Sequence, residues 1–177
     1  MYTYDPSGVP TWYVMSSCPV EGNSCSGDIY TVTGGKSLSS FWDGSAKIVT
    51  KVRNGTLTFA DHNHGVFNFL INGVHGSKGI TRQMFAEGAN PPDIDYSDLW
   101  WNPAESGWGV GLTQEHETIF AVMFSYDDID TPLWHVASNC KMDGNRCSGD
   151  LYQVTGGTKL ATLWNAGNLA ATKVGTV

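Results

Sequence analysis

Three histidines form the densest group of side chains in the sequence that could bind a metal ion. His62 and His64 are separated by one residue, so on a β-strand their imidazoles project from the same face. His75 follows a predicted strand over 65–71 and could reach the same end of the sheet. Three imidazoles with an open fourth position are typical of catalytic zinc and other transition-metal sites. The group therefore indicates either a small metal-dependent hydrolase or, without any cofactor, a polar hairpin turn.

A second group of residues that could do chemistry lies in the segment WWNPAESGWG, residues 100–109. Glu105 could act as a general acid or base, and the adjacent Ser106 could act as a nucleophile. The segment lacks the Gly-x-Ser-x-Gly elbow of the α/β-hydrolases, and the sequence offers Glu105 no clear second carboxylate. We therefore favour a structural interpretation, in which this Pro- and Gly-rich segment is a tight turn before a strand.

Seven tryptophans are a large number for a chain of 177 residues. Two pairs of tryptophans, Trp12 with Trp134 and Trp42 with Trp164, occupy equivalent positions in an internal repeat, described below, and are expected in the core. Trp100, Trp101 and Trp108 lie in the segment 100–109, and exposed aromatic faces of this kind stack on sugar rings. These three indicate a shallow carbohydrate-binding groove, with ordinary packing as the alternative.

The composition argues against two classes of partner. The formal net charge is −7, whereas binding to nucleic acid or to an anionic membrane surface requires clustered Lys and Arg. No apolar run approaches the ~20 residues that a membrane-spanning helix needs, so no membrane insertion is expected. Only 15% of the residues are charged, while 21 are Gly and 12% are aromatic, which is typical of short strands joined by tight turns.

The elements that must position these side chains are predicted to be strands. Alternation of apolar and polar residues, with many β-branched and aromatic types, marks strands near 11–17, 26–33, 48–59, 65–71, 79–85, 108–114, 118–126, 133–138, 149–155 and 171–177. Asn54-Gly55 and Asn72-Gly73 carry the chemistry of hairpin turns. The sequence therefore predicts an all-β fold, an antiparallel meander arranged as a barrel or a sandwich.

Four cysteines fall into two pairs, Cys18 with Cys25 and Cys140 with Cys147, and six residues separate the members of each pair. Turn-forming residues lie between them and strand-like sequence flanks them, which predicts a disulfide across the neck of a β-hairpin loop. A metal site is the alternative, although such sites use shorter Cys spacings. Two disulfides indicate an oxidising compartment, so we expect a secreted, periplasmic or cell-surface protein.

The sequence also contains an internal repeat. Residues 4–52 align without a gap on residues 126–174, and 23 of the 49 positions are identical at a constant offset of 122 residues. This predicts a first copy over 1–87, a Pro-rich linker over 88–97 and a second copy over 98–177. The first copy carries the C-terminal strands of the unit and the second copy carries the N-terminal strands, so the register is circularly permuted.

In this register each copy lacks strands that only the other copy possesses. The segment 98–124 is expected to complete the first copy, so that both copies form one intertwined unit. The middle part of the second copy then needs a partner strand as well. It could extend the same sheet, or it could form a homo-oligomer by strand exchange with another copy of the chain.

Four segments carry a resemblance to a known family: 100–109, FSYD over 124–127, SGDLY over 148–152 and GVHGSKGITR over 73–82. Together they resemble a repeated β module of secreted and surface proteins of bacteria, mostly of unassigned function. The resemblance covers most of the chain, and it implies a fold and a location more than an activity. The permuted register departs from the family pattern, in which the module usually appears whole.

These observations predict an extracellular, non-catalytic β module that binds a glycan or another surface component. One alternative is a small metal-dependent hydrolase in which the three histidines hold zinc or another transition metal. The other alternative is a purely structural spacer repeat, which needs no ligand and no cofactor.

Overall fold

The computed structural model describes residues 1–88, 92–160, 162–163, 165 and 167–177. Antiparallel strands dominate these residues and no α-helix occurs among them, so the all-β prediction is confirmed. In the same ranges no helix has the length and hydropathy needed to cross a membrane. Residues 89–91 of the predicted linker, and Trp164, which the sequence alignment pairs with Trp42, lie outside the described residues.

The first half of the chain forms a small ladder and one larger sheet. β1 (Tyr2–Tyr4) and β2 (Pro10–Trp12) pair with each other and form what we call the N-terminal ladder. The next five strands pair as neighbours in chain order and form the central sheet: β3 (Val20–Glu21), β4 (Ser24–Thr33), β5 (Ile48–Phe59), β6 (His64–Ile71) and β7 (Val74–Thr81). This pairing is the antiparallel meander that the sequence predicts.

The second half forms the C-terminal sheet. Its seven strands are β8 (Asp98–Trp100), β9 (Gly109–Glu115), β10 (Thr118–Tyr126), β11 (Pro132–Asp143), β12 (Arg146–Ser148), β13 (Asp150–Thr155) and β14 (Ala170–Thr176). Six of them lie in the order β14-β13-β11-β10-β9-β8, and β12 pairs with the end of β11. A short 3-10 helix, Pro103–Glu105, lies between β8 and β9.

None of these sheets closes into a barrel within the described residues, so the barrel prediction is wrong. Closure requires the two outer strands of a sheet to pair with each other. In the central sheet β3 and β7 lie at opposite edges, and in the C-terminal sheet β14 and β8 do so. Both sheets are therefore open.

The two Asn-Gly pairs carry the same turn signal but have different positions in the structure. Asn72 and Gly73 have positive φ angles of 50° and 81° and form the β6–β7 hairpin turn, as predicted. Asn54-Gly55 lies in the middle of β5 instead, so the turn prediction there is wrong. A Cβ atom at Gly55 would lie 2.9 Å from Phe67 Cε2, so this glycine permits close packing against the neighbouring strand.

Both predicted disulfides are present. Cys18–Cys25 spans the β3–β4 hairpin with a Cα–Cα distance of 5.2 Å, and Cys140–Cys147 joins β11 to β12 with a distance of 5.4 Å. No free cysteine remains among the described residues, so the metal alternative for the cysteines is wrong. Two cross-links of this kind are compatible with an oxidising compartment.

The buried core has one part in each large sheet. The cluster of the central sheet consists of four residues: Ile29, Val52, Phe69 and Ile71. The cluster of the C-terminal sheet consists of Tyr4, Val122 and Trp134. Tyr4 comes from the N-terminal ladder, and Leu160 of the second half packs against the central cluster. Each half of the chain therefore contributes a side chain to the core of the other.

Two buried tryptophans connect the N-terminal ladder to the C-terminal sheet. Trp12 is 4% exposed and its Nε1 donates to Ser125 O at 3.4 Å. Trp134 is 3% exposed and its Nε1 donates to Thr3 O at 3.2 Å. The prediction that both are core residues is confirmed, whereas Trp42, predicted for the core as well, is only half-buried. The donors are 122 residues apart and so are the acceptors, which is the offset of the sequence alignment.

Two tyrosines form a second reciprocal pair of contacts. The Tyr4 hydroxyl donates to Val154 O at 3.1 Å, and the Tyr126 hydroxyl donates to Val32 O at 3.3 Å. Burial raises the pKa of both phenols, so both stay protonated donors at neutral pH. Each ring lies in the space that a side chain would occupy at a glycine of the opposite half, Gly157 for Tyr4 and Gly35 for Tyr126.

The strand registers of the two halves follow the same offset of 122 residues. Examples are Tyr4↔Pro10 with Tyr126↔Pro132, Val14↔Tyr30 with Val136↔Tyr152, Val20↔Cys25 with Met142↔Cys147, and Tyr30↔Lys51 with Tyr152↔Lys173. The ion pair of Lys51 with Asp28 has its counterpart in Lys173 with Asp150. Equivalent sequence positions therefore make equivalent backbone contacts.

His135 of β11 is a polar group in an apolar setting. Its Nδ1 is buried and has no hydrogen-bond partner among the residues that the structure describes. Burial lowers the pKa of His135 below the ordinary value of 6.5, because the charged imidazolium is poorly solvated there. The residue is therefore neutral in the folded protein at neutral pH.

We predict that Gly35→Ala and Gly157→Ala each lower the free energy of unfolding by about 1–3 kcal/mol, because the added methyl group must displace a buried tyrosine ring. Gly79→Ala is the control, since a Cβ atom there has no neighbour within 4 Å, and we expect a change within about 0.5 kcal/mol. Urea unfolding of the three variants measures the difference. Equal effects at all three positions would contradict the proposed role of the two rings.

We also predict that His135 makes the fold less stable in acid. The pKa of His135 is lower in the folded than in the unfolded protein, so only the unfolded state takes up a proton as the pH first falls through 6.5. The free energy of unfolding therefore falls as the pH drops below about 7.5 and through 6.5, until the lower pKa of the folded protein is passed, and His135→Leu should reduce this fall. His75→Leu, at an exposed site, serves as the control. An unchanged pH dependence in His135→Leu would show that this residue is not responsible.

Candidate binding site

A cleft of about 1000 Å³ lies between the central sheet and the β8–β9 end of the C-terminal sheet. Both halves of the chain line it. Seven aromatic residues line it: Trp12, Tyr13, Phe67, Trp100, Trp101, Trp108 and Phe124. Concave, mainly apolar sites of 300–1,000 Å³ with a few polar groups are typical of ligand pockets. We call this feature the tryptophan cleft.

The structure brings the three candidate tryptophans together on this cleft. Trp100 and Trp101 are 51% and 58% exposed, so their ring faces remain accessible to a ligand. Trp108 is half-buried, and its Nε1 donates to Glu105 Oε2 at 3.0 Å. Trp100 Nε1 donates to Tyr96 O at 3.0 Å, which fixes the ring at the end of β8. These three residues, which are neighbours in sequence, thus lie on one cleft, whereas their sequence spacing did not predict the residues of its opposite wall.

The turn that carries these tryptophans has the local structure that its sequence predicts. The Asn102 side chain accepts a hydrogen bond from Ala104 N at 3.0 Å and caps the 3-10 helix, whose first residue is Pro103. Gly107 follows with a φ angle of 144°, which side-chain-bearing residues rarely adopt. A Cβ atom at Gly107 would lie 2.8 Å from the Trp42 ring, so the turn packs directly against the first half of the chain.

Glu105 and Ser106 hold this turn in place. Lys47 Nζ donates to Ser106 Oγ at 2.7 Å and to Ser106 O at 3.2 Å, while Glu105 accepts from Trp108. Among the described residues, the Ser106 hydroxyl is hydrogen-bonded to this lysine and not to the histidine that activates a serine in hydrolytic triads. These contacts give Glu105 and Ser106 positioning roles in the turn. They do not support the catalytic roles that the sequence suggested for the two residues.

The three histidines of the predicted metal site do not meet. His64 Nδ1 lies 2.9 Å from both carboxylate oxygens of Asp61, and Arg82 donates to His62 Nε2 at 2.6 Å. His75 pairs with Leu70, at the opposite end of the β6–β7 hairpin from His64, about 20 Å away at ~3.4 Å per residue. The expectation that His75 reaches the same end of the sheet is therefore wrong.

The region around His62 and His64 has the features of the alternative, a polar hairpin turn. Asp61 Oδ1 accepts from the backbone N–H groups of Asn63 and His64 at 2.7 and 2.9 Å. The pKa of Asp61 is lowered, first by the hydrogen bond from the Asn63 backbone and then by His64. Within the described ranges, no group of three or more His, Cys, Asp or Glu residues is arranged to hold a metal ion.

Sequence reasoning missed the two lysines of the cleft. Lys47 lies before β5 and Lys78 lies in β7, so nothing in their spacing connects them with the tryptophans. One signal was present at Lys47, since the position aligned with it at the offset of 122 residues is the apolar Leu169.

In comparisons with protein-family models, curated proteins and solved structures, no match to the chain was found.

Proposed function

We propose that this protein is a non-catalytic β module that binds a glycan or another component of a cell surface in the tryptophan cleft. The observation that carries the proposal is the convergence of Trp100, Trp101 and Trp108 on one accessible cleft. Aromatic faces of this kind bury the apolar face of a sugar ring or of another flat or chain-like ligand. Exposed aromatic groups in one contiguous patch are typical of interaction sites.

The contacts of the polar side chains favour binding over catalysis. Glu105 is engaged by Trp108, and Ser106 receives hydrogen bonds from Lys47. Within the described residues, neither side chain is hydrogen-bonded to a histidine or to a second carboxylate. We therefore assign both to the wall of the cleft, where they fix the position of the tryptophans.

The location that fits this proposal is outside the cytosol: secreted, periplasmic or at a cell surface. Two disulfides support it, because such cross-links persist in oxidising compartments. The resemblance of residues 100–109 to a module of secreted and surface proteins of bacteria supports it as well. A ligand from a cell surface would be encountered in any of these places.

The proposal includes the repeat: the two halves are copies of one unit in a permuted register. The common offset of 122 residues in strand pairs and in reciprocal tryptophan and tyrosine contacts supports it.

β14 aligns with part of β5, which carries β6 on its other side, whereas β14 lies at the edge of the C-terminal sheet. Strand exchange with a second copy at this edge stays a prediction, and a strictly monomeric protein in light scattering would rule it out.

We predict that the double variant Trp100→Ala/Trp101→Ala weakens ligand binding at least about tenfold, because the ligand loses two stacking faces at the mouth of the cleft. Phe41→Ala is the matched control, since Phe41 is 94% exposed and does not line the cleft. Tryptophan fluorescence titrations with neutral and acidic oligosaccharides, and with dispersed surface lipids, measure binding in all three proteins.

Wild-type binding that survives Phe41→Ala and is lost in the double variant would support the cleft as the binding site. Binding that persists in the double variant would place the site elsewhere. If the wild type binds none of the oligosaccharides or lipids, the proposal fails and the structural spacer becomes the better account.

A further inference from the structure

The charged residues of the tryptophan cleft all have the same sign. Lys47 and Lys78 line the cleft, and no Asp or Glu of the described residues does. The rest of the lining consists almost entirely of aromatic and aliphatic side chains and small residues. This is unexpected in a chain that contains 17 acidic and 10 basic residues and has a formal net charge of −7.

Among the residues that the structure describes, the hydrogen bonds of both ammonium groups go to neutral oxygens. Lys47 Nζ donates to the hydroxyl and the carbonyl of Ser106, and Lys78 Nζ donates to Thr162 O at 3.3 Å. A lysine ammonium has three N–H donors, so at least one donor of each residue remains for a ligand. Neither lysine forms an ion pair within the described ranges.

Three other lysines of the chain form ion pairs with aspartates, whereas Lys141 donates to the neutral Thr118 Oγ1 at 2.7 Å. Lys36 pairs with Asp130 at 2.6 Å, and Lys51 and Lys173 pair with aspartates on the neighbouring strands at 2.6 and 2.7 Å. The ion pairs show that carboxylates are available to lysines in this fold, and none of the described Asp or Glu residues lines the cleft. Half-buried positive charges beside an apolar surface are costly to desolvate unless an anion compensates them.

We infer that the ligand of the cleft is an anionic amphiphile: an apolar chain or ring system that carries a carboxylate, phosphate or sulfate group. This inference rests on the proposed binding function and names the chemistry of its ligand. The apolar body buries against the aromatic side chains, while the anionic group accepts hydrogen bonds from Lys47 and Lys78. The negative net charge of the whole protein repels an anion. A preference for an anionic over a neutral ligand would therefore have to come from the two lysines of the cleft.

Three probes with the same dodecyl-length chain and different head groups test the inference: laurate, its neutral glycerol ester monolaurin, and the cation dodecyltrimethylammonium. Each is titrated below its micelle concentration at about pH 8, with binding followed by tryptophan fluorescence and by calorimetry. Acetate represents the anion without the apolar body, and maltohexaose represents a neutral glycan. We expect laurate to bind at least about tenfold more tightly than monolaurin, and acetate not to bind.

Lysine variants test whether Lys47 and Lys78 cause the tighter binding of laurate than of monolaurin. In Lys47→Met/Lys78→Met, laurate and monolaurin should bind equally, because methionine keeps an unbranched apolar stem and removes the charge. The control Lys51→Met/Lys141→Met makes the same change in net charge at two positions that do not line the cleft, and should keep the preference. Single Lys78→Met leaves the Lys47–Ser106 contacts intact and should lose part of the preference even if the double variant folds poorly.

The outcomes separate this inference from the proposed function. Equal binding of laurate and monolaurin, or a preference that survives in Lys47→Met/Lys78→Met, would overturn the inference while cleft binding itself stands. Binding of maltohexaose with no binding of the dodecyl probes would also overturn the inference and would support a neutral glycan as the ligand. If no probe binds, both fail.

Discussion

The docking of the N-terminal ladder on the C-terminal sheet is the constraint on which the rest of the structure depends. Ser125 and Thr3 are buried, and a buried carbonyl is costly unless it accepts a hydrogen bond. The indole groups of Trp12 and Trp134 provide these hydrogen bonds reciprocally. A two-stranded ladder of this size has little stability by itself, so β1 and β2 depend on this contact with the C-terminal sheet.

The cleft follows from this docking. The ladder continues directly into the central sheet, so fixing Trp12 against Ser125 also places the central sheet beside β8 and β9. Further contacts join the halves: Lys36 with Asp130, and Lys47 with Ser106. The side chains of the residues that the structure describes leave the space between the sheets open. It remains as a cavity of about 1000 Å³ with aromatic walls.

Much of the fold could be predicted from the sequence because its signals are local. Alternating patterns located β5, β6, β10 and β13 to within about two residues. The strand predicted over 79–85 is β7, Val74–Thr81, because the Asn72-Gly73 turn ends immediately before it. Local patterns could not predict that the sheets are open and not closed into a barrel, because closure depends on pairing between edge strands that are distant in sequence.

The residues of the candidate site that are close in sequence could also be predicted, whereas those that come together only in the folded chain could not. Trp100, Trp101 and Trp108 are neighbours in sequence, so one motif identified them together. Lys47 and Lys78 reach the cleft only through the docking of the two sheets, and no spacing rule connects them with the motif. The histidine prediction failed for a related reason: alternation placed His62 and His64 correctly at one turn, but the length of the hairpin separates His75 from them.

The indole N–H signals of the tryptophans test the central claim most directly, because they report ligand contact residue by residue in one NMR spectrum. The account predicts that laurate shifts the signals of Trp101 and Trp108, which line the cleft, and leaves that of Trp134, which lies in the core of the C-terminal sheet, unchanged. Assignment by single Trp→Phe variants identifies each signal. Shifts of Trp134 as large as those of Trp101, or no shift at either cleft tryptophan with laurate or with maltohexaose, would contradict the account.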